Sequence, residues 1–383
     1  MDKPTVQDIF HRFYPAYLDQ YSPSPVQAKV AHNIMNCKTG AYGANVCVCE
    51  DCGFVQIHYN SCRNRCCPMC QAVPKEMWMD ARREDVLDAP YFHLVFTVPD
   101  ILNPVIYSNQ RLLYDALYHA ASSTISELTA DPKHLGAKVG YICILHTWGS
   151  EMNFHPHIHA ILLGGGLASN NQWKDNGENF FLPIRVISKV FRGKYLEELK
   201  RLWEEDKLVF HGTAEKFRNH YTFKELLDSC YGMDWIPHCK KTFNGAQTVI
   251  KYLGKYTHRI AVSNHRIVRM DDDTVTFLVK DYRNEGQWKE LTISGVEFVR
   301  RFLMHVPPRR FVRIRHYGLL CSRTKSQKLT LCRNLLGCKK YLSKLRDMEM
   351  PEILEHLYGI KVCVCKACGG HLGKPQMRMP LRC

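Results

Sequence analysis

Two histidines, His157 and His159, are separated by one residue within an apolar run that favours a β-strand. Because successive side chains of a strand point to opposite faces, both imidazoles leave the same face, and Ile158 points into the core. Two imidazoles on one face can bind a divalent metal ion when a carboxylate or amide completes the ligand set. Since a histidine in a strand is usually structural, the pair gains its meaning from the residues that accompany it.

A second pair of reactive side chains, Tyr252 and Tyr256, lies in a stretch whose pattern predicts a helix over 246–257. At a separation of four residues the two hydroxyls project from one face of that helix, about 6 Å apart along its axis. The same stretch carries four cationic residues: Lys251, Lys255, His258 and Arg259. Although tyrosines at this spacing more often serve packing, a cationic stripe suits a phosphate better than a core.

The histidines and tyrosines together predict one reaction, the cleavage and rejoining of single-stranded DNA. A tyrosine hydroxyl is a poor nucleophile at neutral pH, because its reference pKa is about 10. A metal ion that polarises a non-bridging phosphate oxygen, magnesium or manganese in our prediction, would make the phosphorus easier to attack. Attack would form a 5′-phosphotyrosine and release a 3′-hydroxyl, so the bond energy is kept for rejoining. Two tyrosines allow two successive transfers.

The third ligand of this catalytic metal is open at this point. We favour Glu151, which follows the preceding predicted strand, because carboxylates suit magnesium and manganese. Asn153, His155 and Gln247 could also serve.

Cysteines indicate zinc. The chain has 18 cysteines, and clustered Cys-x-x-Cys pairs in a cytoplasmic protein point to metal binding more than to disulfides. Cys49-Glu-Asp-Cys52 and Cys67-Pro-Met-Cys70 predict one tetrahedral structural zinc site. A possible second site would use Cys37, Cys62 and Cys66. Arg63 and Arg65 lie between these ligands, where a nucleic-acid phosphate could reach them.

A smaller cluster, Cys363-Val-Cys365-Lys-Ala-Cys368, resembles half of a zinc knuckle near the end of the chain. Zinc and unliganded thiols are equally compatible with its sequence. Four ligands would require partners from a small set: Cys332, Cys338, His371 or Cys383.

Positive charge is concentrated in the same region. Residues 301–383 hold 18 Lys and Arg against 4 Asp and Glu, so they carry +14 of the formal charge of +15. Such asymmetry predicts a surface that binds a polyanion, because each cation that meets a phosphate releases a counterion. Arg313 and Arg315 alternate within an apolar run, so we expect them to share one face of a strand as DNA contacts.

The elements that position these residues predict a mixed α/β (α+β) fold. Strands are expected over 92–99, 139–145 and 155–163, the last ended by three glycines at 164–166. We also expect helices over 105–128, 189–206 and 295–304, and a hairpin joining 275–279 to 289–293. The predicted domains are a zinc-binding, DNA-binding module over 1–88, a nuclease domain over 89–265 with an insertion at about 167–245, a basic β-hairpin and helical region over 266–345, and a cysteine-containing basic tail over 346–383.

Several motifs agree, in order, with one family. The three motifs of HUH endonucleases are matched by Phe96-Thr-Val-Pro99, His155-Pro-His-Ile-His159 and Tyr252-Leu-Gly-Lys-Tyr256-Thr-His-Arg259. Further segments resemble the two-tyrosine rolling-circle transposases of bacterial insertion sequences: Asn60-Ser-Cys-Arg-Asn-Arg65, His146-Thr-Trp-Gly149 and Arg313-Ile-Arg-His-Tyr-Gly-Leu-Leu320.

This resemblance covers nearly the whole chain. It implies an HUH-nuclease antiparallel sheet flanked by helices, a divalent metal at His157 and His159, and nucleophiles at Tyr252 and Tyr256. The family often has histidine where this chain has Asn45 and Cys66, and glutamine where it has Ser150.

Two other classes fit parts of the pattern. A zinc-containing DNA-binding regulator would share the cysteines but form no covalent product with DNA. A plasmid replication initiator or relaxase would share the chemistry, but the zinc module and the Arg-Ile-Arg-His-Tyr segment resemble transposases. Because the sequence has neither a signal peptide nor an apolar run of about 18 residues, we expect a cytoplasmic, nucleoid-associated bacterial protein with single-stranded DNA as its partner.

Overall fold

The N-terminal part of the chain is a small helical and β module. The computed structural model describes residues 3–175, 182–235, 238–241, 254, 260–281, 285–374 and 376–378. Its first elements are α1 (Val6–Gln20), α2 (Pro25–Met35), β1 (Ala44–Val48), β2 (Val55–Tyr59) and α3 (Ala72–Arg83). Both α1 and α2 begin with a capping box, formed by Thr5 with Asp8 and by Ser24 with Gln27. These side chains satisfy the backbone N–H groups that a helix leaves free at its start.

The middle of the chain alternates strands with long helices. Its elements are β3 (Tyr91–Thr97), α4 (Asn103–Ser108), α5 (Gln110–Ala130), β4 (Lys138–Trp148), β5 (Phe154–Leu167), β6 (Trp173–Asp175), α6 (Ile184–Glu204), α7 (His220–Gly232) and β7 (His238–Lys241). The remaining elements are β8 (Ile267–Met270), β9 (Thr274–Asp281), β10 (Gln287–Ser294), α8 (Gly295–Met304), β11 (Ile314–Gly318), α9 (Lys325–Leu336), α10 (Met350–Tyr358) and β12 (Gln376–Arg378).

A six-stranded antiparallel sheet forms the centre of the molecule. Its strands follow the order β11-β4-β5-β3-β7, and the short β6 pairs with β5. One face carries apolar side chains such as Phe92, Leu94 and Phe96, which are buried against α5, α6 and α7. The opposite face carries Ile142, Ile144 and other aliphatic residues that pack with α3 and α9. Because both faces are covered, these strands are almost continuously apolar.

This architecture confirms the predicted fold class: an antiparallel sheet flanked by helices, joined to a cysteine-rich N-terminal module. The predicted strands, the long helices and the hairpin near residue 285 are present, and the helix predicted over 295–304 is α8. The helix predicted over 105–128 is divided at Asn109 into α4 and α5. The helix predicted over 246–257 lies outside the described residues, except for Gly254.

One strand end was predicted wrongly. The glycines at 164–166 do not end β5, which continues to Leu167. They are needed because neighbouring chains approach closely: a Cβ at Gly166 would lie 2.4 Å from the Lys138 carbonyl oxygen. These glycines therefore serve close packing rather than a turn.

A second core joins the two ends of the chain. β8, β9 and β10 form a three-stranded antiparallel meander that leads into α8. Phe10 on α1 packs edge to face against Phe302 on α8, with ring centroids 5.2 Å apart, in a cluster that also contains Phe277 and Phe298. The first helix is therefore held by residues some 260 to 290 positions later.

The end of the chain also returns to the N-terminal module. β12 pairs antiparallel with β1, which pairs with β2, so residues 44–59 and 376–378 form one sheet. Among the described helices, none combines the length and apolar character needed to cross a membrane.

Candidate metal centre and cysteine clusters

Three histidines meet on one face of the central sheet. His146 on β4 lies directly opposite His157 on β5, and Ile144 lies opposite His159. Since directly paired residues of antiparallel strands share a face, the register places all three imidazoles on the same side. Their ligand atoms all lie within 4.8 Å of one another, and the Nε2 atoms of His157 and His159 are 3.0 Å apart.

Contacts behind the cluster orient the two imidazoles of β5. The Nδ1 of His157 lies 2.7 Å from the carbonyl oxygen of His155. The Nδ1 of His159 lies 2.8 Å from Nε2 of His93, a buried residue of β3. If both rings use Nδ1–H as the donor, each Nε2 lone pair is left directed toward the cluster.

Burial keeps these rings neutral. Loss of water lowers the pKa of His157 to about 3, with a smaller lowering from the nearby His155. Burial, and then the neighbouring His146 and His157, lower the pKa of His159 well below its ordinary value. The same effect of burial lowers the pKa of His93 to about 4. Neutral imidazole is the form that binds a metal.

Glu151, the third ligand expected from the sequence, is not part of this cluster, whose third member is His146. Glu151 is exposed, and its carbonyl oxygen accepts a hydrogen bond from Arg301. The adjacent carbonyl oxygens of Ser150 and Met152 are bonded to Arg266 and His305. The turn is thus fixed by Arg266, which precedes β8, and by Arg301 and His305 in and after α8, away from the histidine cluster.

Asn153 and His155, which could also have supplied the third ligand, fall outside the cluster as well. His155 contacts Asp100, with Nδ1 and Oδ1 3.3 Å apart. The side chain of Asn153 lies against Gly149: a Cβ on Gly149 would be 2.2 Å from the Oδ1 of Asn153. Gln247 lies outside the described residues.

His146 and His93 are the two residues of this centre that sequence reasoning missed. A hairpin joining 139–145 to 155–163 brings residues near 146 and 157 opposite each other, so pairing the strands would have indicated His146. His93 stands at an alternate position of the predicted strand 92–99, but only the three-dimensional order of β3 beside β5 places it next to His159.

One residue between the two predicted nucleophiles belongs to the described part of the chain. Tyr252, Tyr256, Lys251, Lys255 and Arg259 lie outside the described residues, but Gly254 is described and helical. Gly254 packs against α3: a Cβ there would lie 1.9 Å from Sδ of Met79 and 3.3 Å from Cε of Lys75. Met79 belongs to the cluster that covers the face bearing the histidines.

A cleft of about 480 Å³ adjoins this contact. Its lining includes Gly254 together with the cationic or ionisable side chains of Arg65, Lys75 and His265. This partly basic cleft therefore lies between the N-terminal module and Gly254, and its charge suits a phosphate-bearing strand.

One cysteine cluster lies at the base of the β1–β2 hairpin. It consists of Cys37, Cys62, Cys67 and Cys70, whose sulfur atoms lie within 4.8 Å of one another. The Sγ atoms of Cys62 and Cys70 are 3.8 Å apart, and the N–H of Asn64 donates to the sulfur of Cys62. Hydrogen bonds from the Cys62 and Cys67 thiols lower the pKa of Cys70, which favours a thiolate.

The predicted grouping of four zinc ligands was wrong, because Cys49 and Cys52 are not near Cys67 and Cys70. They lie in the turn between β1 and β2, and strands of five residues place that turn about 17 Å from the base of the hairpin. Cys49 and Cys52 instead cluster with Cys365 and Cys368.

The other predicted groupings also change. Cys37 and Cys62 of the possible second site join Cys67 and Cys70, whereas Cys66 is buried elsewhere and burial raises its pKa. The C-terminal pair Cys365 and Cys368 does not cluster with the expected partners Cys332, Cys338 or His371. Cys383 lies outside the described residues.

Two arginines expected to contact DNA have structural partners. Arg315 forms an ion pair with Asp115, and its guanidinium lies 4.0 Å from the centre of the Tyr118 ring. Arg65 donates to the carbonyl oxygens of Phe311 and Pro308.

The remaining two arginines differ from each other in exposure. Arg313 immediately precedes β11, and burial lowers its pKa. Arg63 is exposed.

Comparison with known proteins places this site in a class. A family model described as "Putative transposase" matches residues 140–328, which include the three histidines and Gly254. A second model, described as "Transposase zinc-binding domain", matches residues 9–98, which include Cys37, Cys62, Cys67 and Cys70. The two models together span the N-terminal module and most of the central sheet.

Two relatives extend this match over most of the chain. "Putative transposase y4qJ" of Sinorhizobium fredii (strain NBRC 101917 / NGR234) is 40% identical over 95% of this chain and 93% of its own length. "Transposase for insertion sequence element IS801" of Pseudomonas savastanoi pv. phaseolicola is 30% identical over 79% of this chain and 72% of its own length. The chain belongs to the family of IS91-type transposases with an N-terminal zinc-binding domain, as its motifs predicted.

Solved structures give weaker similarities. A copper-bound conjugative relaxase TrwC in complex with oriT DNA is 16% identical, with coverage of 45% of this chain and 65% of that chain and a TM-score of 0.25. A metal-bound structure of the same relaxase with oriT DNA is 15% identical, with coverage of 43% and 71% and a TM-score of 0.25.

Proposed function

We propose that this transposase cleaves and rejoins single-stranded DNA at the ends of its insertion sequence by metal-assisted tyrosine transesterification. The product of cleavage is a 5′-phosphotyrosine, and the outcome is rolling-circle-type transposition into a target DNA. The observation that carries this proposal is the cluster of His146, His157 and His159 on one sheet face.

The geometry of the cluster fits a divalent cation. Metal–nitrogen bonds of about 2.1 Å place neighbouring ligand nitrogens about 3.0 Å apart in octahedral geometry and about 3.4 Å apart in tetrahedral geometry. The two Nε2 atoms of β5 are 3.0 Å apart. Three protein ligands would leave positions open for phosphate oxygens, and magnesium or manganese bound there would act as a Lewis acid on the scissile phosphate.

The surrounding residues prepare the histidines for this task. The Nδ1–H of His157 donates to the carbonyl of His155, and that of His159 donates to His93. These two hydrogen bonds fix the tautomers and keep both rings in place before a metal or DNA arrives.

We assign the nucleophiles to Tyr252 and Tyr256. The support comes from Gly254, which lies between them in sequence and contacts Met79 of α3, the helix that covers the histidine-bearing face. Lys251 and Lys255 would lower the cost of forming a phenolate and would hold the phosphate. Attack by a tyrosine oxygen on phosphorus forms one P–O bond and breaks another, so the leaving 3′-oxygen takes up a proton.

The zinc-binding module serves DNA binding. The cluster of Cys37, Cys62, Cys67 and Cys70 is closed by four protein ligands, which is typical of a structural zinc site. The exposed Arg63 adds positive charge to this module, and Arg65 and Lys75 line the cleft that also includes Gly254. Arg259 would extend this surface, whereas Arg313 and Arg315 stabilise the fold.

The test is the formation of a covalent adduct. The protein is mixed with a labelled single-stranded oligonucleotide that carries the insertion-sequence end, with manganese or magnesium present. A band that survives a denaturing gel is expected for the unmodified protein. It should be lost when Tyr252→Phe and Tyr256→Phe are combined, and it should remain in the control Tyr221→Phe, because Tyr221 is 76% exposed on α7.

A histidine variant separates chemistry from binding. His157→Ala should abolish the adduct but leave binding of the oligonucleotide within about threefold, since the cations that attract the strand are unchanged. An adduct that persists in the double tyrosine variant would contradict the proposed chemistry. Specific binding without any adduct would instead favour a DNA-binding regulator.

A further inference from the structure

The two ends of the chain meet at four cysteines. Cys49 and Cys52 occupy the turn of the β1–β2 hairpin, and Cys365 and Cys368 occupy a turn more than 300 residues later. The Sγ atoms of Cys49 and Cys368 are 3.5 Å apart, and those of Cys52 and Cys365 are 3.8 Å apart. All four sulfur atoms lie within 4.8 Å of one another.

Both pairs are held by the same turn. The N–H of Cys49 donates to the carbonyl of Phe54, five residues later, and the N–H of Gly53 donates back to the carbonyl of Cys49. The second turn repeats this pattern: the N–H of Cys365 donates to Gly370, and the N–H of Gly369 donates to Cys365. Each Cys-x-x-Cys is followed by a glycine with positive φ, +71° at Gly53 and +78° at Gly369. Two matching knuckles facing each other form a site of approximate twofold symmetry.

Backbone donors also point at the sulfur atoms of the second knuckle. The N–H groups of Ala367 and Gly370 each lie 3.4 Å from the sulfur two residues earlier, Cys365 and Cys368 respectively. N–H donors near sulfur stabilise thiolates, the form that binds zinc.

The sulfur–sulfur distances fit a tetrahedral zinc ion. A Zn–S bond of about 2.3 Å gives edges of about 3.8 Å between ligand sulfurs. The two distances across the knuckles, 3.5 Å and 3.8 Å, lie close to that value.

We infer that these four cysteines bind one structural zinc ion that fastens the C-terminal tail to the N-terminal DNA-binding module. We call this site the zinc clasp. It lies partly outside both matching family models, which end at residues 98 and 328. The clasp makes residues 363–374 and 376–378 a part of the N-terminal module.

Backbone contacts around the clasp support this assignment. The N–H of Glu50 donates to His371, and the N–H of Gly373 donates to Val48. β12 then continues the pairing along β1, with Val46 opposite Gln376 and Ala44 opposite Arg378. Within the basic tail, β12 thus forms the third strand of the module's sheet.

Counting zinc in combined variants tests the clasp. Each full-length protein carries His157→Ala so that the histidine cluster holds no zinc, and zinc is measured by mass spectrometry after dialysis against a mild chelator. We expect two zinc ions per chain, one in the cluster near Cys37 and one in the clasp. C49S/C52S and C365S/C368S should each leave one, and the four substitutions combined should still leave one.

The combination distinguishes the possible groupings. Because both cysteine pairs hold the same zinc ion, substituting all four cysteines should remove no more zinc than substituting either pair. A fourfold variant with no zinc would overturn the clasp. Adding C67S/C70S to C365S/C368S should remove both ions, and an ion that remained would also contradict the grouping. Cys363→Ser is the matched control, since Cys363 is exposed, two residues from Cys365 and outside the cluster, and it should keep two.

A second measurement needs no cysteine substitution. A protease recognition sequence is inserted between Lys361 and Val362, in a segment of exposed or half-buried residues. After cleavage, the fragment from 362 onward should co-elute with the body of the protein and be released when a strong zinc chelator is added. Release without the chelator, or retention in its presence, would show that zinc does not hold the tail.

Discussion

The contact between His93 and His159 leads to a prediction about metal affinity. His93 does not reach the metal position, yet its Nε2 lies 2.8 Å from Nδ1 of His159 in a buried environment. The substitution His93→Phe keeps a ring of similar size between β5 and β7 but removes the acceptor. The buried Nδ1–H of His159 would then lose this hydrogen bond.

Two independent arguments give a similar free-energy cost for His93→Phe. Removing one partner of a buried hydrogen bond costs about 1–3 kcal/mol. Loss of a contact that orients a metal ligand lowers metal affinity roughly 10- to 100-fold, equivalent to about 1.4–2.7 kcal/mol. We therefore expect the Kd for Mn²⁺ to rise roughly 10- to 100-fold in His93→Phe.

The assay is a Mn²⁺ titration followed by the electron paramagnetic resonance signal of the free ion. His93→Gln, whose carbonyl can accept the same hydrogen bond, should recover part of the affinity. The matched control is His316→Phe, a histidine of β11 on the same sheet whose pKa burial also lowers to about 4. A Kd that stays within twofold of the unmodified protein in His93→Phe would refute the role of His93.

Three further predictions concern residues around the site. His146→Ala should lower DNA cleavage by about 100-fold or more, whereas Glu151→Gln should change it by less than about threefold, as measured by initial rates of adduct formation. Burial lowers the pKa of His305 to about 4, below its unfolded value of about 6.5. Between these two pH values the unfolded chain binds more protons than the folded protein, so the stability of the folded protein falls as the pH falls. Between pH 7.5 and pH 5 this histidine accounts for about 2 kcal/mol, which His305→Gln should remove from the pH dependence of denaturant unfolding; an unchanged dependence would contradict it. Gly254→Val should displace the tyrosine motif by contact with Met79 and reduce adduct formation without changing Mn²⁺ affinity, and Met79→Ala should restore activity; failure of this rescue would show that the contact is unimportant.

The periodicity of apolar residues in the sequence was sufficient to predict much of the fold. β4, β5, β9, β10 and α8 were predictable because alternating or helical apolar patterns coincide with clear turn residues. The same reasoning placed His157 and His159 on one face. The observed cores also join segments from opposite ends of the chain, and the periodicity of a sequence does not reveal such long-range packing.

The errors at the metal sites have a common physical origin. Cysteines were grouped by proximity along the chain, but the β1–β2 hairpin carries Cys49 and Cys52 away from Cys67 and Cys70. Similarly, Glu151 was favoured because carboxylates suit magnesium and manganese, whereas hydrogen bonds from Arg266, Arg301 and His305 hold its turn away from the histidines. Ligand identity depended on strand order and tertiary contacts, which spacing alone does not encode.

The packing of α1 also has a consequence for how the protein is made. Val6, Phe10 and Phe13 are buried in a core that also contains Phe277, Phe298, Phe302 and other apolar side chains of residues 267–303. At synthesis rates of about 5–20 residues per second, the first helix leaves the ribosome roughly 15 to 60 s before that partner exists. During this interval its apolar side is uncovered and open to chaperones. A copy shortened by a premature stop before this core would never bury it, so incomplete transposase chains should be selectively degraded.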